Sequence, residues 1–148
     1  MTFSIEVHWA GPEPCLPEER VQAAAVAALE DGGRPDLALS IVFVPEAELT
    51  RLHLERLGDP EPTDVMAFDL GDDAGPAGEL YVSVDRARDV ASELGVAPER
   101  ELLLYVVHGT LHLCGHDDHE PADIARMRAA EARVLRVLGL ETDPERHG

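Results

Sequence analysis

The sequence predicts an α/β domain (mixed α+β): a mixed sheet of about four strands packed with helices, one of them a buried central helix. Three observations predict it. Strand-like and helix-like segments interleave along the chain, the order expected of a layered α/β or α+β domain. Glycine and proline clusters punctuate them, at Asp31-Gly32-Gly33, Gly58-Asp59-Pro60-Glu61-Pro62 and Asp72-Asp73-Ala74-Gly75-Pro76. Residues 102–107 are apolar almost all round, the pattern of a helix enclosed by the core.

Each element has its own local cause. Phe3-Ser4-Ile5-Glu6-Val7 alternates apolar and polar residues, as a half-buried strand does. Pro17 opens a helix with Glu18 and Glu19 in its first turn, and Val21, Ala24, Ala25, Ala28 and Leu29 form its apolar stripe. Asp31-Gly32-Gly33 stops it. Residues 37–44, rich in branched side chains, predict a second strand. Residues 46–57 are helical in pattern, with Leu49, Leu52 and Leu57 near one face, and the following Gly-Asp-Pro-Glu-Pro breaks them.

Residues 65–70 predict a third strand, 72–76 a turn, and 79–84 a fourth strand, after which Asp85 is placed to cap a helix running to about residue 94. Pro98 starts the buried helix, with Glu99 and Glu101 in its first turn, and Gly115 is suited to end it. A last helix, residues 121–138, carries Ile124, Met127, Ala130, Val134 and Leu138 at helical spacing and is closed by Gly139. The polar tail from about residue 141 is expected to be loose. At 148 residues, without a linker or an internal repeat, the whole chain 1–148 is expected to form one domain.

Composition limits the function classes. Hydrophobic residues make up 45% of the chain, ordinary for a globular protein, and no apolar run approaches a membrane span. The N-terminus lacks a basic n-region and an apolar h-region, so the expected location is cytoplasmic, with no membrane partner. Two cysteines, Cys15 and Cys114, are too few for a disulfide framework. Thirty acidic residues face twelve basic ones, all arginine, for a formal charge of -18. That charge argues against broad nucleic-acid binding through basic surface and leaves room for a local arginine-lined groove.

The chemistry concentrates in one segment. Four of the seven histidines lie between positions 108 and 119. His108 and His112, four apart, share a helical face, so their imidazoles can converge on one zinc ion. Gly115 lets the chain turn sharply, which brings His119 back over the same face. Three protein ligands leave a fourth position open for water, the mark of a catalytic zinc site, and bound zinc can lower that water's pKa to about 7.

His116 and Asp118 compete with His119 as third ligand. Asp117 and Asp118 could also orient a ligand or act as a base. Cys114, about 200° around the helix from His112, is expected to face away and pack. In H-E-x-x-H metalloproteases the residue after the first histidine is the glutamate base; here it is Gly109, which lowers peptide hydrolysis in rank.

The segment His108-Gly109-Thr110-Leu111-His112-Leu113-Cys114-Gly115-His116-Asp117-Asp118-His119 resembles the H-G-x-L-H-L-x-G-Y-D-H signature of the YbeY family, bacterial metal-dependent endoribonucleases. Thr63-Asp64-Val65-Met66-Ala67-Phe68 is similar to that family's T-D-V-L-S-F strand, and Gly78-Glu79-Leu80-Tyr81-Val82 to its G-D-I-x-I strand. The similarity spans roughly residues 37–140. It implies an α/β fold with one zinc ion on three histidines. It also implies cleavage of single-stranded RNA in maturation of the 3′ end of 16S ribosomal RNA and in ribosome quality control.

The chain departs from the pattern in three places. Asp118 occupies the usual position of the third ligand, and His119 comes one residue later; His119 is preferred because a turn absorbs an extra residue more easily than zinc gives up an imidazole. His116 replaces the family's tyrosine. The family's L-N-x-x-F-R block aligns with Leu52-His53-Leu54-Glu55-Arg56-Leu57, so leucine stands where the arginine thought to contact RNA phosphate would be. Its neighbour Arg56 is the substitute, about 100° around the helix.

The expectation is therefore a zinc-dependent endoribonuclease. His108, His112 and His119 are its metal ligands, Asp118 or the zinc-bound hydroxide its base, and Arg56, Thr63 and Asp64 its substrate-binding residues. Its partners are single-stranded RNA and the ribosome or its small-subunit RNA. The alternatives are a zinc hydrolase of a peptide or other small amide, and a ribosome-associated binding protein whose metal is structural. A fourth protein ligand such as Cys114 or His116 would favour the last.

Overall fold

The computed structural model describes residues 4–10, 16–58, 64–71, 73, 75–116 and 119–140. Among the described residues, four strands and five helices follow in the order β1 (Ile5–Trp9), α1 (Glu18–Asp31), β2 (Ala38–Val44), α2 (Glu46–Leu57), β3 (Val65–Asp69), β4 (Ala77–Ser83), α3 (Val84–Leu94), α4 (Pro98–Leu113) and α5 (Pro121–Val137). The sheet order is β1-β2-β4-β3. β1, β2 and β4 run parallel, and β3 pairs antiparallel to β4 at the edge. The predicted mixed four-stranded sheet is the one observed.

Alternation along the strands gives the sheet two unequal faces. Leu39, Ile41, Phe43, Leu80 and Val82 point into the main core with Val21, Ala24 and Ala28 of α1 and with Leu102, Val106 and Leu111 of α4. On the other face Val44 and Met66 pack under Leu49 of α2, flanked by Val42, Leu52, Phe68 and Tyr81. The helix predicted to be buried is so: residues 102–107 of α4 are all enclosed. The Thr110 hydroxyl in that helix donates to the Val106 carbonyl at 2.7 Å, which satisfies a buried polar group without a distant partner.

Two expectations needed correction. The first strand runs from Ile5 to Trp9, leaving out Ser4 and passing Val7, while Phe3 lies outside the described residues. Trp9 pairs with Phe43 across the strands and stacks on its ring, with centroids 4.1 Å apart, and this pair carries the ladder two residues further. The cap of α3 is Ser83 rather than Asp85. Its hydroxyl accepts from the Arg86 amide at 3.1 Å, while the Asp85 carboxylate accepts from the Glu46 amide at 2.8 Å and so caps the start of α2. Ser83 is fully buried, so Ser83→Ala should lower unfolding stability by about 1 kcal/mol, measured by urea denaturation. The loose tail expected from residue 141 lies outside the described residues.

Candidate active site

Helix α4 carries the first two histidines to the edge of the sheet, and one small residue decides how close it comes. A methyl group at Gly109 would meet Leu80 Cδ2 at 2.8 Å and Val65 Cγ2 at 3.1 Å. The helix therefore lies directly on β3 and β4, and His108 and His112 flank the contact. The position occupied by glutamate in metalloproteases is here a buried packing surface.

The turn after α4 forms as expected from Gly115. The Gly115 amide donates to the His112 carbonyl at 3.0 Å and the His116 amide to the Leu111 carbonyl at 3.1 Å, the paired bonds of a Schellman motif. Gly115 takes φ +106°, which disfavours a side chain. Arg34 donates from Nη1 to the Leu113 carbonyl at 3.2 Å and ties the helix end to the segment after α1.

These elements enclose an open cleft of about 360 Å³ along edge strand β3. Its lining includes His108, Gly109 and His112 from α4, His119 from beyond the turn, residues 64–68 of and before β3, and His53 of α2. All three histidines expected to bind metal thus line one cavity, with Asp64 beside them. Among the described residues, no three His, Cys, Asp or Glu side chains are already gathered as a formed metal site. The donor set nevertheless suits a divalent metal of zinc's character: three imidazoles on two separate segments, with room in the cleft for water.

His108 is held from behind. Its Nδ1 lies 2.5 Å from Oε2 of Glu131 on α5, and the Glu131 side chain is 10% exposed. This glutamate was missed from the sequence, although it left a signal there: it falls within the apolar stripe of α5, where Met127, Ala130, Val134 and Leu135 are buried around it. His53 was missed as well. Its signal is its spacing of four from the buried Leu49, which puts an imidazole on the inward face of α2.

The remaining expected site residues distribute as follows. Arg56 does not line the cleft, but its guanidinium carbon sits 5.3 Å from the centre of the Phe68 ring, which does. Behind Phe68 stands Tyr81, edge-on at 6.0 Å, with its phenol pushed up by burial and then by Glu79. Thr63 and Asp118 lie outside the described residues.

Cys114 turns away, as expected, and packs against Gly32, where a methyl group would come 2.5 Å from its sulfur. Burial, as the largest cause, pushes its thiol up. Neither Cys114 nor His116 is among the residues that line the cleft.

Fold and cleft together define the class: a small mixed α/β enzyme with a histidine-lined site at the open edge of its sheet. The family model described as Endoribonuclease YbeY matches residues 16–139. A relative named Endoribonuclease YbeY from Rhodopirellula baltica is 39% identical over 137 residues, covering 90% of this chain and 70% of its own. Relatives of the same name from Chlorobium phaeovibrioides (33% identical, 84% of each chain) and Symbiobacterium thermophilum (35% identical, 83% of this chain and 87% of that one) agree.

The solution structure of a Thermotoga maritima protein has the same fold, with a TM-score of 0.58 at 24% identity, covering 97% of this chain and 99% of that one. The chain belongs to the YbeY endoribonuclease family. The match reaches upstream of the similarity seen from motifs and takes in α1. Among the described residues no helix is long and apolar enough to cross a membrane.

Proposed function

We propose that this chain is a metal-dependent endoribonuclease that cuts single-stranded RNA, with His108, His112 and His119 holding one zinc ion. The observation that carries the reading is the lining of a single cleft by all three imidazoles. A bound zinc ion would supply Lewis acidity, lowering the pKa of a water and drawing charge from a phosphate oxygen.

The chain's own residues do the rest. His108, backed by Glu131, and His112 present their rings from one helical face. Asp64 is the carboxylate among the described lining residues, which supports reading it as a base for an attacking water; Asp118 is the other candidate for that role. Phe68 gives the cleft a flat apolar wall on which an unpaired base can stack, whereas a duplex keeps its bases stacked on one another. Arg56, over that wall, supplies positive charge for a phosphate in a chain whose overall charge repels RNA.

The natural substrate is read as the 3′ region of small-subunit ribosomal RNA, in the cytoplasm, with a role in ribosome quality control. The chain is read as acting as one domain. A protein of charge -18 gains little RNA affinity from its surface at large, so ribosomal components are the expected means of delivery.

The test is to identify the metal in the purified protein and to compare cleavage of single-stranded and duplex RNA, before and after chelation. Metal-dependent cutting confined to single strands supports the reading. Tight metal binding without metal-dependent cleavage overturns it in favour of a structural metal. Arg56→Ala should weaken RNA binding and reduce the slope of log affinity against log salt by about 1, as loss of one phosphate contact does. An unchanged slope would remove Arg56 from the binding surface.

A further inference from the structure

We infer that Glu131 is a positioning residue for the metal site: it fixes the His108 imidazole with its proton on Nδ1, so that Nε2 is the nitrogen offered to the cleft. The inference rests on the reading of His108 as a metal ligand and adds a residue from a different helix to it.

The geometry is specific. Oε2 of Glu131 lies 2.5 Å from His108 Nδ1, closer than the roughly 2.7–2.9 Å of an ordinary charge-assisted N–H···O bond. Glu131 is 8% exposed and sits within the apolar face of α5, between Met127, Ala130, Val134 and Leu135. A carboxylate buried there without a hydrogen-bond partner would be strongly unfavourable. The contact with His108 supplies that partner and makes the burial tenable.

The consequence for the ring follows from the chemistry of imidazole. A carboxylate only accepts, so the nitrogen facing it must carry the proton. An imidazole ligates a metal through a nitrogen lone pair, and with Nδ1 protonated that lone pair is on Nε2. The same contact restricts rotation of the ring and raises the basicity of the ligating nitrogen. His112 has no such contact described. The two ligands of α4 are therefore unequal, with His108 preset by α5 before any metal arrives.

Two measurements on the full chain test this. The first is the long-range nitrogen–proton NMR spectrum of the metal-free protein, recorded with imidazoles neutral, about two units above the ordinary histidine pKa of about 6.5. His108 should show the Nδ1–H form. Glu131→Leu, which keeps bulk but removes the acceptor, should lose that preference, and Glu131→Gln, which keeps an oxygen in place, should retain it. The second is zinc affinity by competition with a chelating dye. Glu131→Leu should bind zinc about 10- to 100-fold more weakly than wild type, with Glu131→Gln between them.

An Nε2–H form in the wild type, or zinc binding by Glu131→Leu within twofold of wild type, overturns the inference. If Glu131→Leu does not fold, the wild-type spectrum and the Gln variant decide. A wild type that shows the Nδ1–H form yet binds no zinc refutes the metal site while leaving the Glu131–His108 contact standing.

Discussion

His112→Ala should reduce RNA cleavage by at least about 1,000-fold while moving the thermal midpoint of the metal-free protein by no more than about 2 °C. The first half follows from the ligand count proposed for the site. Two imidazoles hold zinc far less firmly than three, and the metal's contribution to phosphodiester cleavage is several kcal/mol, where each 1.36 kcal/mol is a factor of ten. The second half follows from exposure: His112 is exposed at the rim of the cleft, and truncating such a side chain changes stability by about 0.5 kcal/mol or less.

His108→Ala is a less clean probe. It would strand the Glu131 carboxylate within the face of α5, costing about 1–3 kcal/mol in addition to the activity. His116→Ala, at a position outside the cleft, should retain cleavage within about tenfold, which is 1.4 kcal/mol or less. Steady-state cleavage of a labelled single strand, with differential scanning fluorimetry on the same proteins after metal removal, checks all three. If His116→Ala lost as much activity as His112→Ala, the assignment of His119 as third ligand would fall.

What could be read in advance was whatever the chain encodes locally. The stripe of α1 from Val21 to Leu29, the proline starts of α4 and α5, and the Gly115 turn each depend on residues within a few positions, and each is seen. The pair His108 and His112 was legible for the same reason, since spacing on a helix fixes a shared face. Residues that matter through distant contacts were not legible. Glu131 is 23 positions from His108, and only the docking of α5 on α4 makes them partners.

His53 enters the cleft because α2 and α4 meet the β3 edge from opposite faces of the sheet, which periodicity within α2 cannot reveal. Arg56 was placed by angle alone, about 100° from the family's arginine position. Its proximity to the site comes from Phe68 on a strand formed later in the chain. Ser83 was passed over for Asp85 because the strand ends one residue earlier than its composition suggests, and one residue decides a cap.

Gly109→Glu, the change that would write a metalloprotease motif into α4, should destabilise the protein by more than about 3 kcal/mol and create no peptidase. The motif reads correctly in one dimension and fails in three. At this position the side chain would leave the helix directly towards the sheet, where its first carbon already comes 2.8 Å from Leu80 and 3.1 Å from Val65. Leu80 is fully buried in the main core, so it can give way only by shifting against its core neighbours.

Gly109→Ala separates the terms. It gains about 1 kcal/mol of helix propensity and loses about 1–3 kcal/mol to overpacking, so a net loss of about 1 kcal/mol is expected. The glutamate keeps that loss and must carry a longer, charged side chain past Leu80 and Val65. It also pushes α4 away from β3, and with it the two histidines that face the cleft, so zinc affinity should fall together with stability. Urea denaturation of the three proteins gives the ordering wild type, Ala, Glu. A Gly109→Glu protein within 1 kcal/mol of wild type would mean that α4 can lift from the sheet at little cost. The close contact at Gly109 would then not be what sets the histidines at the sheet edge.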